Sequence, residues 1–224
     1  NSNLISICND YTVTEKADGL RTLMYVSKLG KVYLITGNLK VIFTGSMTKE
    51  KLCWDSLLDG EFIMYGKRPQ KKRLFMFAVF DIYYFGGMQK KAHVRHLPFS
   101  TNDEEALEDG FRYSLLKKFH AMCVLESITP NASCEFRIRC KHFEQTKPDE
   151  QSIMEASSII WSRDYEYEID GLIYTPMNTG VGSTIPNEAH ELNGKKFTWE
   201  GCFKWKPPHY NTIDFLVETQ KDKD

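Results

Sequence analysis

The sequence predicts an α+β domain built from antiparallel sheets flanked by helices. Three observations lead there: short β-type runs cluster toward both ends of the chain, helical patterns are confined to a few stretches between them, and no strand–helix–strand unit repeats. The first runs are 11–14, 23–27, 31–36 and 41–43, with Gly30 and Gly37-Asn38 where turns belong. Residues 47–58 read as a helix that Ser46 or Thr48 would cap. Strands at 60–65 and 73–84 follow, joined by a charged turn. Two further helices are expected at 103–124 and 147–161, the second with Pro148 in its first turn. Strand patterns resume at 168–174, 201–206 and 212–218.

A chain of 224 residues, 42% hydrophobic and 26% charged, has enough apolar side chain for a sizeable core. Lys+Arg 29 against Asp+Glu 30 leaves a net charge of −1, so no whole-chain field draws it to nucleic acid or membrane, and any basic site is local. The longest apolar run, around 75–80, is strand-length and far below the ~20 residues of a membrane span. No charged-then-apolar leader opens the chain. The absence of an initial Met and the bare charged tail at 221–224 are read as marks of a piece of a longer chain. Six cysteines are scattered without a CxxC pair, which fits a reducing, intracellular setting better than a disulfide framework. Cys134, Cys140 and His142 come nearest to a zinc cluster, but no second close pair accompanies them.

Four segments set polar or charged residues beside strand-like runs. The first, Thr14-Glu15-Lys16-Ala17-Asp18-Gly19-Leu20-Arg21, offers a lysine nucleophile with an anion-binding arginine close behind; by itself it also reads as a solvated Asp-Gly turn. The second and third, Asp59-Gly60-Glu61 and Asp170-Gly171-Leu172-Ile173, put a carboxylate next to glycine. Glu61 and Asp170 together suit a divalent ion held through oxygen, while each segment singly reads as a tight turn. In the fourth, Lys204-Trp205-Lys206-Pro207-Pro208, strand alternation puts both lysines on one face. Two adjacent ammonium groups call for an anion between them, a phosphate being the natural occupant, or for solvent at an exposed edge.

Taken together, the order Lys-x-Asp-Gly, Asp-Gly-Glu, an aromatic strand ending Phe80-Asp81, Asp-Gly-Leu-Ile and Lys-x-Lys-Pro resembles the covalent lysyl-nucleotidyltransferase superfamily, across residues 11–217. That superfamily contains mRNA capping guanylyltransferases and polynucleotide ligases. Asp170 in the fourth element, and Lys204-Trp205-Lys206-Pro207-Pro208 followed by Asn211-Thr212-Ile213-Asp214-Phe215, resemble the capping branch, including the multifunctional enzymes of large DNA viruses. One departure stands out: the turn Thr36-Gly37-Asn38-Leu39-Lys40 lacks the ribose-contacting arginine often found there.

The resemblance implies GTP as substrate, Mg²⁺ or Mn²⁺ as cofactor, and the 5′-diphosphate end of RNA as acceptor. It implies Lys16 as the nucleophile that carries GMP, with Glu15, Arg21, Glu61, Phe80, Ile173, Lys204 and Lys206 around the nucleotide, and Glu61 and Asp170 at the metal. Phe80 would stack the purine, with Ile173 or Leu172 on its other face. An OB-fold lid is expected beyond residue 224, and other capping activities on the same longer chain. The compartment implied is cytoplasmic for a viral enzyme and nuclear for a cellular one, with no membrane. A ligase adenylation domain that takes AMP, and a nucleotide-binding module that has lost catalysis, are the competing readings. Among basic stretches, the five charges within Lys67-Arg68-Pro69-Gln70-Lys71-Lys72-Arg73 suit RNA phosphates or a solvated hairpin, as Lys90-Lys91 with His93, Arg95 and His96 do more weakly.

Overall fold

Two sheets meet at a two-residue joint. The computed structural model describes residues 6–101, 108–147, 150–186, 188–191 and 198–211. The strands are β1 (Tyr11–Ala17), β2 (Leu20–Val26), β3 (Lys31–Thr36), β4 (Val41–Met47), β5 (Ser56–Tyr65), β6 (Arg73–Tyr84), β7 (Glu126–Ser127), β8 (Arg137–Cys140), β9 (Glu144–Gln145), β10 (Ile169–Pro176) and β11 (Phe203–Trp205). The smaller sheet runs β11-β10-β1-β9 and the larger β7-β4-β3-β2-β5-β6-β8. Asp18 and Gly19 are all that separates β1 in the smaller sheet from β2 in the larger. The larger sheet is antiparallel except that β8 lies parallel to β6, from Met76 beside Arg137 to Val79 beside Cys140.

The principal core lies on one face of the larger sheet, where Met24, Val26, Leu34, Leu58, Phe77 and Ile82 pack on Leu115, Leu116 and Phe119 of α1 (Arg112–Met122). A second core forms under α2 (Ile153–Ser162), where Ile153, Ala156 and Ile160 pack on Tyr11, Val13 and Leu172 of the smaller sheet. Ser152 caps α2 by a capping box: its Oγ accepts from the Glu155 amide, and the Glu155 side chain accepts from the Ser152 amide.

The helix expected at 47–58 does not form. Strand β4 continues to Met47, a single 3-10 turn occupies Lys51–Cys53, and β5 begins at Ser56. Asp55 takes a left-handed φ of 53°, which stops helical propagation, and Leu57 and Leu58 pair with Tyr25 and Met24 of β2. Of the helix expected at 103–124, the described part begins at Arg112, because Phe111 is extended. Residues 103–107 of that helix, Pro148 and the strand expected at 212–218 lie outside the described residues. Among the described residues no helix is long and apolar enough to cross a membrane, and all six cysteines are free thiols.

Candidate active site

The glycine motifs are not the tight turns that each suggests by itself. Asp59-Gly60-Glu61 lies inside β5 and Asp170-Gly171 inside β10, and the glycines serve close approach. A Cβ on Gly60 would fall 2.4 Å from the Phe77 ring, and one on Gly171 would fall 2.0 Å from the Trp205 carbonyl oxygen. Gly171 therefore lets β11, which carries Lys204 and runs on to Lys206, lie against β10. Gly171→Ala should push β11 away, costing ~1–3 kcal/mol of stability. Displacement of the lysines should slow any reaction at Lys16 on the order of a hundredfold; a thermal melt beside an adduct assay checks both.

Lys16, near the end of β1, lies opposite Gly171. Its Nζ donates to Asp170 Oδ1 at 2.7 Å, and Lys206 Nζ meets Asp170 Oδ2 at 2.6 Å. One carboxylate thus ties two cations together at the rim of the smaller sheet. Burial pushes the Asp170 carboxyl up, but the hydrogen bonds from Lys16 and Lys206 outweigh it and hold the group below the usual carboxylate range. The Lys206 ammonium is held above its ordinary value by the hydrogen bond to Asp170.

Because the folded-state value of Asp170 is depressed, its contribution to stability is present above the unfolded value of ~3.9 and is lost as pH falls through the folded one. Wild-type protein should therefore lose more thermal stability than Asp170→Asn between about pH 5 and pH 3. Melting curves across that range check the difference.

Ile173 pairs with Thr14 on one side and Lys204 on the other. Leu172 is instead buried beneath α2, which leaves Ile173 as the residue available on the lysine face. Lys204 is exposed on β11. Glu15 points away from Lys16 and is 1% exposed. Its carboxylate accepts from Tyr167 Oη at 2.6 Å and Thr14 Oγ1 at 2.8 Å, and its carbonyl accepts from the buried Lys141 Nζ at 3.0 Å. Glu15 thus anchors β1 from behind.

The opposing wall comes from the larger sheet. Glu61 pairs with Arg21 on β2 and with Ala78 on β6, so Arg21, Glu61, Ala78 and Phe80 share one sheet face. Arg21 grips the fully buried Asp59 through Nε at 3.2 Å and Nη2 at 2.6 Å, and Tyr83 Oη also donates to Asp59. That fork holds Arg21 protonated and aimed. Phe80 is half-buried, while Phe77 packs in the principal core and Phe75 against it. Arg21 lies 6.0 Å and Lys141 5.5 Å from the Phe80 ring centroid, a flat apolar plate with cations at its face. Burial raises the Glu61 carboxyl against the pull of Lys141 and Lys16.

Behind Phe80, Asp81 forms a buried fork with Arg112 of α1, Nε to Oδ1 at 2.8 Å and Nη2 to Oδ2 at 3.1 Å. Arg112 Nη1 reaches the carbonyls of Leu97 and Thr179 as well.

The structure thus gathers Lys16, Asp170, Lys206, Lys204 and Ile173 on the smaller sheet, and Arg21, Glu61 and Phe80 on the larger. Sequence reasoning missed Asp59 as the holder of Arg21, and Lys141. The signal for Asp59 was present in its own motif, two strand positions before Glu61; nothing marked Lys141. Among the described residues no group of three or more His, Cys, Asp or Glu could enclose a metal. Asp170 and Glu61, the two carboxylates the sequence offered for a divalent ion, both sense Lys16, Asp170 through a 2.7 Å bond and Glu61 through its charge. Cys134 is turned to Ser46 and Phe136, Cys140 to its neighbour Lys141, and His142 to Glu144, so the three do not converge.

Comparison with known proteins adds to this geometry. The family model described as "mRNA capping enzyme, catalytic domain" matches residues 7–208. A probable mRNA-capping enzyme of Acanthamoeba polyphaga mimivirus is 28% identical over 253 aligned residues, covering 96% of this chain and 20% of that protein. An mRNA-capping enzyme of African swine fever virus is 27% identical over 92% of this chain and 18% of its own length. One from Danio rerio is 24% identical over 95% of this chain and 32% of its own. The chain therefore spans about a fifth of the viral relatives and about a third of the fish one.

Proposed function

We propose that this chain, which belongs to the mRNA capping enzyme catalytic-domain family, is a guanylyltransferase that takes GMP from GTP onto Lys16 and passes it to the 5′-diphosphate end of an RNA. The observation that carries the reading is the Lys16–Asp170–Lys206 chain of charge, with Lys16 acting on Glu61, the strand partner of Arg21 beside Phe80.

A lysine attacks only as the free amine. Asp170, acidified by its two partners, is a weak proton acceptor, and its part is to aim Nζ. As the amine bonds to the α-phosphorus, the bond to the β-phosphate oxygen breaks and pyrophosphate leaves. Lys204, Lys206 and Arg21 offset the charge that gathers on the phosphate oxygens. Glu61 and Asp170 are the carboxylates that would hold a divalent metal alongside the triphosphate; such an ion supplies further charge neutralisation. In the second step the RNA β-phosphate oxygen attacks the same phosphorus and the lysine amine is released.

Phe80 and Ile173 provide two apolar faces for a purine. The preference for guanine rests on the family, whose matching model and relatives are mRNA-capping enzymes. The greater length of the relatives supports a lid and companion capping activities elsewhere in the longer protein.

Intact mass after incubation with Mg²⁺ and either GTP or ATP tests the reading. A GMP-sized gain from GTP alone is expected; an AMP-sized gain from ATP would transfer the chain to the ligases.

A further inference from the structure

The end of the larger sheet carries a cavity of about 410 Å³ that the nucleotide site does not use. Leu20, Phe62, Met64 and Tyr65 give it an apolar lining, while Arg68 and Lys71 lie at its polar edge. Leu20 is 52% and Tyr65 58% exposed, so the lining holds apolar surface in water where the fold gains nothing from it. The cations differ from their neighbours in the same basic run. Lys67 is paired with Asp164 at 3.0 Å and Arg73 with Glu135 at 2.9 Å. Among the described residues neither Arg68 nor Lys71 is drawn into an ion pair. Two acids also border the cavity, but Glu168 accepts from the Arg68 amide at 3.0 Å and Asp18 acts on the Lys206 ammonium.

An aromatic and thioether lining beside unpaired cations matches a strand whose bases stack and whose phosphates pass by. Its position matches as well: Asp18 and Gly19 form one wall, and at most ~10 Å of chain separates Gly19 from Lys16. We propose that this cavity seats the first nucleotides of the single-stranded RNA that accepts GMP, with a base against Tyr65 and phosphates at Arg68 and Lys71. The proposal rests on the guanylyltransferase reading and assigns it an acceptor site.

The test measures binding of a short single-stranded 5′-diphosphate RNA by fluorescence anisotropy across a salt series, for wild type, Tyr65→Ala and Lys71→Ala, with GTP-dependent mass gain followed on the same proteins. Tyr65→Ala should weaken RNA binding about tenfold. Lys71→Ala should weaken it too and flatten the slope of log affinity against log salt by about 0.7. Both should gain GMP as wild type does, which also reports that they fold. RNA binding by both variants equal to wild type, or no RNA binding by wild type, overturns the acceptor site while a GMP gain leaves the guanylyltransferase reading standing. RNA binding lost in the variants, with no GMP gain in any protein, supports the docking site and counts against the guanylyltransferase reading instead.

Discussion

Replacing Lys16 by alanine should abolish the GMP mass gain, and Lys16→Arg should abolish it equally. The pair of variants separates nucleophile from charge. Arginine keeps a cation against Asp170 but stays protonated in proteins, so it cannot supply a free amine. Alanine leaves Asp170 with Lys206 still bound at 2.6 Å, so the fold survives the substitution. Lys16 and Asp170 are only 22% and 16% exposed, so losing their charge-assisted bond should cost about 1.5–3 kcal/mol, and the melting temperature should fall by several degrees. Intact mass and a thermal melt on the same samples are sufficient. Adduct persisting in either variant would show that another residue is the nucleophile.

The second large effect belongs to stability. Arg112→Ala leaves Asp81 buried without its fork and frees the carbonyls of Leu97 and Thr179. Breaking a buried pair from one side costs about 3–5 kcal/mol. For a chain of this size each kcal/mol moves the midpoint by ~2–4 °C, so a fall of about 6–20 °C is expected. The double variant Asp81→Leu with Arg112→Met should recover part of that loss, because it removes both charges together. Since Asp81 follows Phe80 directly on β6, the single variant should also loosen the purine plate and weaken GTP binding. A melt within two degrees of wild type for Arg112→Ala would mean that water reaches the pair.

Long strands were legible because alternation survives without knowledge of the partner. The expected 31–36 and 73–84 match β3 and β6 at both ends. Residues 47–58 misled because Leu52, Leu57 and Leu58 are compatible with a helix; pairing of Leu57 and Leu58 with Tyr25 and Met24 of β2, far back in the sequence, decides otherwise. Strands β7 and β9 have two residues each, too few for any alternation, and exist because a neighbouring edge is in place. At the site, the order of five motifs named side chains that the structure brings together, such as Lys16 with Asp170 and Lys206. It did not reveal the groups that aim them. Tyr167 bonds Glu15 across 152 positions, and Arg112 bonds Asp81 across 31. Neither partner carries a local pattern, since a buried fork needs only two residues brought together by the fold.

The joint at Asp18-Gly19 would give the proposed lysyl-GMP intermediate a mechanical character. Lys16 belongs to the smaller sheet, whereas Phe80 and Arg21 belong to the larger. A GMP bonded to Lys16 and stacked on Phe80, as proposed, would therefore be a cross-link between two layers that the chain connects here by only two residues. Forming the intermediate should staple the layers, and discharging it onto RNA should release them. Amide hydrogen exchange would register the difference as slower exchange along β2 and β10 in the guanylylated protein, returning to its starting rate after transfer.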